Sequence, residues 1–239
     1  MYFKKFPNIF YEFDVDGQPA LKLVSDITAN VRLRKTVLEN ITLYDEYDIQ
    51  DGDTPEIIAA TYYGSPEYHW IIMLANQRYD YIQDFPLGYY ALEQYIIGKY
   101  NHFDATQWSY NGAVITATIP SHSINVGEDI NVSGAISLTN PPNGSYVVSS
   151  KSLNTITFTA NTAPTGTASG SMFIETTNKE YEVNHYVNEQ GFKVSADVVG
   201  STAVTNYQYE ENFNNSKRRI KLISPQLINN ILNEFKSLI

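Results

Sequence analysis

Apolar and polar residues alternate in three short runs near the middle of the chain: AVITATI at 113–119, DINVSG at 129–134 and TITFT at 155–159. Period-two alternation marks strands that bury one face. Turn signals separate the runs: Asn111-Gly112, Val126-Gly127 and NPPNGS at 140–145. On either side of this region the period changes. Thr54-Pro55-Glu56 and Ser65-Pro66-Glu67 are each a helix entry, with a hydroxyl N-cap, a proline that has no N–H to orphan, and an acid at the positive helix end. Gly64 is placed to end the first helix left-handed. The first helix offers Ile57, Ile58 and Thr61 on one face, the second Trp70, Ile71 and Leu74. Helices this short do not stand alone in water, so they are expected to pack on the strand before them, ITLYDEYDI at 41–49. The same entry recurs at Ser224-Pro225-Gln226. It opens a C-terminal helix with Leu227, Ile228, Ile231, Leu232, Phe235 and Leu238 at helical spacing. EYEVNHYV at 180–187 and KRRIKLI at 217–223 read as strands, and a helix is expected from 86 to about 100.

Four regions follow. Residues 1–40 form an N-terminal arm of strand character, with Asp14-Val15-Asp16-Gly17 as a turn. Residues 41–104 form a strand–helix–helix domain with a following helix, and 105–174 an inserted all-β domain, a small barrel or sandwich. Residues 175–239 supply strands and a helix that pack back on the first domain, because that segment is too small to hold a core alone. The fold class is α+β.

Composition sharpens the boundaries. Between 105 and 174 only Glu128, Asp129 and Lys151 are charged, while Ser and Thr supply 21 of 70 residues, which sets the β region apart from its charged, tyrosine-rich flanks. The formal net charge is -10, so a phosphate backbone is repelled and nucleic-acid binding is excluded as an expectation. The absence of cysteine removes disulfides and thiolate chemistry. No apolar run approaches the roughly 20 residues that cross a bilayer, and the N-terminus lacks the apolar core of a signal peptide. Nineteen tyrosines suit a chain that meets several partners, each ring giving wide contact and one polar tip.

Candidate chemistry is sparse. The acids Asp45, Glu46, Asp48, Asp51, Asp53 and Glu56 do not follow calcium-loop spacing. His69, His102, His122 and His185 show no metal-ligand pairing. No nucleophile elbow or phosphate-cradling loop occurs, so neither enzyme activity, cofactor nor metal is expected. Two stretches read as contact surfaces. The loop QRYDYIQDFP at 77–86 concentrates Arg78, Tyr79 and Tyr81, residue types that dominate interface hot spots. Arg218 and Arg219 lie in the one dense basic cluster, either a solvated strand edge or a contact to an acidic neighbour.

Residues 47–76 resemble a LysM module through Tyr47, the Gly52-Asp53-Thr54 turn, Ile58-Ala59, Tyr63-Gly64 and Asn76. The resemblance implies a LysM-like βαα core, although the usual closing strand after Asn76 is replaced by QRYDYIQDFPL. A narrower likeness adds Tyr62, Pro66-Glu67, His69-Trp70 and Asp84-Phe85-Pro86-Leu87, with FKKFPNIFYEF at the start and NHYVNEQGF and the 209–235 segment near the end. With these, the chain resembles the T4-type phage baseplate wedge protein 53 family over 1–104 and 177–239. That resemblance implies a structural, non-catalytic subunit of a contractile-tail baseplate. It would join neighbouring wedges into a closed ring of six copies around the tail hub. Its partners would be other wedge proteins and the sheath-anchoring baseplate protein, with no nucleic acid or membrane. It would reside in the virion after assembly in the host cytoplasm. The alternative is a LysM-type glycan (peptidoglycan) binding module.

Overall fold

Thr54 and Gly64 frame the first helix as their chemistry requires. Helix α1 (Pro55–Tyr63) starts with the Thr54 hydroxyl accepting the Ile57 N–H at 3.3 Å, and it ends at Gly64 with φ 76°. The second entry opens differently. Ser65 Oγ accepts the Glu67 N–H, but Pro66–Tyr68 forms a tight 3₁₀ turn, and α2 (His69–Ala75) follows it. Tightened turns at helix starts are common because they satisfy N–H groups without a full α turn. At the third entry Ser224 makes no side-chain cap. Its N–H donates to Leu43 O instead, and a 3₁₀ turn (Pro225–Leu227) leads into the last helix (Ile228–Leu238).

The computed structural model describes residues 7–15, 18–26 and 43–238. The side chains of Tyr81, Phe235 and Leu238 lie outside the described residues, as do the first residues of the strand expected at 41–49. The chain divides into two compact units: Met1–Tyr89 with Phe213–Ile239, and Tyr90–Asn212.

In the first unit, β1 (Asn8–Val15) and β2 (Gln18–Ser25) pair antiparallel, Val15 opposite Gln18, which leaves a two-residue connection at Asp16-Gly17. An Asp-Gly pair between alternating runs is a strong hairpin signal. Strand β3 (Tyr44–Asp48) pairs with a strand from far along the chain, β14 (Arg219–Ile223), from Arg219↔Asp48 to Ile223↔Tyr44. Ile220 and Leu222 of β14 meet Ile49, Ile58, Ala59, Ile72 and Phe85 in one buried cluster. Ile223, Ile228 and Ile231 meet Trp70, Ile71 and Ala75 in another.

Asparagine amides hold the joints. Asn76 accepts the Lys221 N–H and donates to Lys221 O, both at 2.8 Å, so its amide acts as one residue of an extra strand beside β14. Asn214 does the same for Leu87, accepting its N–H at 2.7 Å and donating to its carbonyl at 2.9 Å. A primary amide carries a donor and an acceptor side by side, the same pair that a strand neighbour presents.

In the second unit, helix α4 (Tyr89–Asn101), whose first residue still belongs to the first unit, runs into a seven-stranded antiparallel sheet. Before it, in the first unit, lies the short α3 (Tyr81–Asp84). The strands are β4 (His102–Ala105), β5 (Gln107–Asn111), β6 (Val114–Thr118), β7 (Asp129–Ser133), β8 (Gly144–Lys151), β9 (Thr155–Thr159) and β10 (Met172–Glu175), in the order β4-β10-β7-β8-β9-β6-β5. The two end strands, β4 and β5, are separated in sequence by Thr106 alone, whose N–H donates to Thr118 O, so the sheet nearly closes on itself. Of the two architectures expected, this is the barrel-like one: a single sheet, not a sandwich of two. The expected alternation is observed, with Ile115 and Ala117, Ile130 and Val132, and Ile156 and Phe158 facing the core. A bulge between Val148 and Ser150 lets β8 pair with β7 at one end and β9 at the other. Asn143 clamps Ala135 through both backbone groups, at 3.0 and 3.1 Å.

Beyond the barrel, β11 (Val183–Val187) pairs with β12 (Lys193–Val194) and β13 (Thr202–Thr205), and helix α5 (Asn206–Ser216) begins in this unit. Lys179, on a 3₁₀ turn (Lys179–Tyr181), is only 2% exposed. Its ammonium donates to Ser123 O, Glu128 and Glu182, and its N–H to Asn101 Oδ1. Glu210 of α5 is likewise buried and accepts from Lys99 and Tyr100 at 2.7 Å each.

Candidate interaction surface

The loop after α2 is organised by one carboxylate. Asp84 accepts the N–H groups of Tyr79 and Asp80 at 2.8 and 2.9 Å, and these bonds hold its carboxyl below the usual range. Asp80 in turn caps the Gln83 N–H. Arg78 then turns inward. Its guanidinium lies 5.1 Å from the centre of the buried Phe85 ring and donates to Lys217 O. Burial lowers its pKa, with the nearby Asp84 opposing the shift. Tyr79 points the other way and is 65% exposed. Of the three loop residues singled out from the sequence, Arg78 and Tyr79 therefore face opposite ways, and the side chain of Tyr81 is outside the described residues.

Arg218 and Arg219 are brought against acids of their own chain. Arg218 donates to Ile49 O, to Asp51 Oδ1 and to Asn215 Oδ1, at 3.0, 3.0 and 3.1 Å. Asp51 is held below its usual range by Arg218 and by the Tyr89 N–H. Arg219 grips Asp48 through two guanidinium nitrogens and reaches Glu46 with the third at 2.6 Å. The two acids raise the Arg219 pKa further. The fork matches the carboxylate because both are planar and carry two parallel bonding sites. Three acids of the run, Glu46, Asp48 and Asp51, are thus matched by Arg218 and Arg219, and among the described residues no group of three or more His, Asp or Glu is placed to hold a metal ion.

Sequence reasoning missed how the tyrosines serve the acids. Tyr47 donates to Asp53 at 2.7 Å, Tyr62 to Asp45, and Tyr100 to Glu210. Each phenol is pushed up: Tyr47 first by its bond to Asp53, Tyr62 and Tyr100 first by burial. An excess of acids beside an excess of tyrosines was the signal that could have found these pairs. Tyr47, Asp53, Ile58, Thr61, Tyr62 and Leu222 line a cavity of about 100 Å³.

Residues 1–111 match the family model described as Base plate wedge protein 53. Over this region the chain is similar to the phage baseplate wedge protein 53 family. No curated protein matches the chain. The wedge protein 53 match covers the β1–β2 hairpin, β3, α1, α2, the Tyr79 loop, α4 and β4, and it ends with the last residue of β5. The likeness expected for 177–239 lies beyond it. A baseplate family is structural and belongs to the virion tail. Among the described residues no helix is long and apolar enough to cross a membrane.

Proposed function

We propose that this wedge protein 53 relative joins neighbouring baseplate wedges, so that six copies close a ring around the tail hub. Its contacts are other wedge proteins and the protein that anchors the sheath, and it assembles in the host cytoplasm. The observation that carries the reading is the family match over 1–111. The exposed Tyr79 supports it, because Asp84 holds its backbone N–H and so leaves the loop less backbone freedom to lose on binding. Truncating such an aromatic at an interface costs about 2 kcal/mol or more, roughly thirtyfold in affinity. Tyr79→Ala, with an unchanged melt, should therefore slow ring closure when mixed with purified wedges. Rings that close at the wild-type protein concentration would remove this loop from the mechanism.

The β3–α1–α2 arrangement is read as a LysM-like core whose closing strand is β14, supplied from the far end of the chain in place of the segment after Asn76. An experimental structure with 77–88 paired beside β3 would overturn this. The glycan alternative gains nothing from the Tyr47–Tyr62 cavity, which at about 100 Å³ is well below the roughly 300–1,000 Å³ of ligand sites.

Residues 105–174 are read as an insert. Ala105 pairs with Met172, so the chain enters and leaves the barrel on adjacent strands, which favours insertion. Replacing the segment with a short Gly/Ser linker leaves Trp70 as the remaining tryptophan. Its thermal transition is expected to persist, and its loss would refute the insertion.

A further inference from the structure

Among the described residues, the β1–β2 hairpin contributes no side chain to either buried cluster of its unit. A two-stranded hairpin with no core beneath it is marginally stable at best in water. Its two faces differ. Residues at alternate positions share a face, so Ile9, Tyr11 and Phe13 lie together with Ala20, Lys22 and Val24 across from them. This face packs on itself. Tyr11 and Phe13 meet edge to face at 4.8 Å, the Lys22 ammonium sits 5.5 Å from the Phe13 ring centre, and Ile9 and Phe13 are 37% and 38% exposed. The opposite face carries Phe10 directly across from Leu23, and Glu12 directly across from Leu21. There Phe10, Leu21 and Leu23 are 75%, 70% and 58% exposed.

The geometry points to the Phe10–Leu21–Leu23 face as a docking surface for an apolar cleft with a basic rim on another baseplate subunit. This rests on the wedge-joining reading. Three observations choose the occupant. The face is apolar with two carboxylates, Glu12 set among its large side chains and Asp14 at its end, so a cation at the rim of the partner completes it. The chain carries a net charge of -10, which disfavours a second copy as that partner. The hairpin lies inside the region matched by the wedge protein 53 family, so its occupant belongs with the baseplate and not with a feature peculiar to this chain.

The test uses the full-length chain and baseplate wedges purified without it, with association followed by sedimentation. Phe10→Ser with Leu23→Ser is expected to weaken association at least tenfold. Glu12→Lys, which keeps the apolar ladder and therefore the hairpin, is expected to weaken it severalfold and to reduce its salt dependence. Variants that associate like the wild type would overturn the docking face and leave the wedge-joining reading standing. If only Glu12→Lys is without effect, the basic rim is wrong. A wild-type chain that fails to associate at all overturns both readings. Self-association of the wild type without wedges, abolished by Phe10→Ser with Leu23→Ser, would make a second copy the occupant and refute the proposed partner.

Discussion

Lys179→Met lowers the melting temperature of residues 90–212 by about 10 °C. The ammonium is buried, and it neutralises Glu128 and Glu182 while satisfying Ser123 O. Removing one partner of a buried ion pair costs about 3–5 kcal/mol. Glu128 and Glu182 keep some contact with water, which places the cost near about 3 kcal/mol; for a unit of this size, each kcal/mol moves the midpoint by about 3–5 °C. Trp108 lies in this unit and Trp70 in the other, so 5-fluorotryptophan labelling gives each unit its own resonance. The same site sets an acid limit. Burial alone would raise the Glu128 carboxyl, but hydrogen bonds from Lys179 and Asn125 outweigh it and hold the group below its ordinary 4.5. A depressed carboxyl stabilises the fold above its unfolded pKa, and that stability is lost as pH falls through the folded value. The Trp108 transition should therefore drop as pH falls below about 4.5, and Glu128→Gln should flatten the dependence. A Lys179→Met protein that melts like the wild type would show the ammonium to be dispensable.

A chain ending at Ser224 loses the cooperative transition reported by Trp70. The truncation keeps β14 but removes Ile228 and Ile231, which cover Trp70, Ile71 and Ala75. Each fully buried isoleucine contributes roughly 1.5–3 kcal/mol, so the pair supplies about 3–6 kcal/mol. Domains have only about 5–15 kcal/mol in total. The uncovered tryptophan and isoleucine also form an apolar patch that promotes aggregation. A soluble truncated chain with an unshifted Trp70 transition would show the last helix to be an ornament.

Much of the fold was legible where the signal is local. The barrel strands announced themselves because alternation and turn residues are written within ten residues of each other, as in Ile115 and Ala117 around the Asn111-Gly112 turn. Thr54, Pro55 and Gly64 fixed α1 because capping chemistry acts within one turn. Pairings across the chain were not legible. Nothing near Asp48 says that Arg219 will lie opposite it. Helix α5 escaped because its Asn- and Glu-rich sequence has no clear apolar period, and its role comes from Glu210 and Asn214, two polar side chains that the fold buries. Lys179 reads as a surface residue until Glu128, 51 positions earlier, is beside it. At the candidate surface, residue type drew attention to Arg78 and Tyr79 equally. Only the position of Phe85 decides that the arginine folds back while the tyrosine faces out.

The pairing of β3 with β14 also has a consequence for synthesis. Asp48 and Arg219 are 171 residues apart. At about 5–20 residues per second, a ribosome needs about 10–30 s to travel from one to the other. Within that interval every strand of the barrel is made, while Ile49, Ile58 and Ile72 still await Ile220 and Leu222. The nascent chain therefore completes its middle first and the unit built from its two ends last. A message broken after the codon for Glu175 and before that for Arg219 yields every strand of the barrel but not β14, so the first unit stays unfinished.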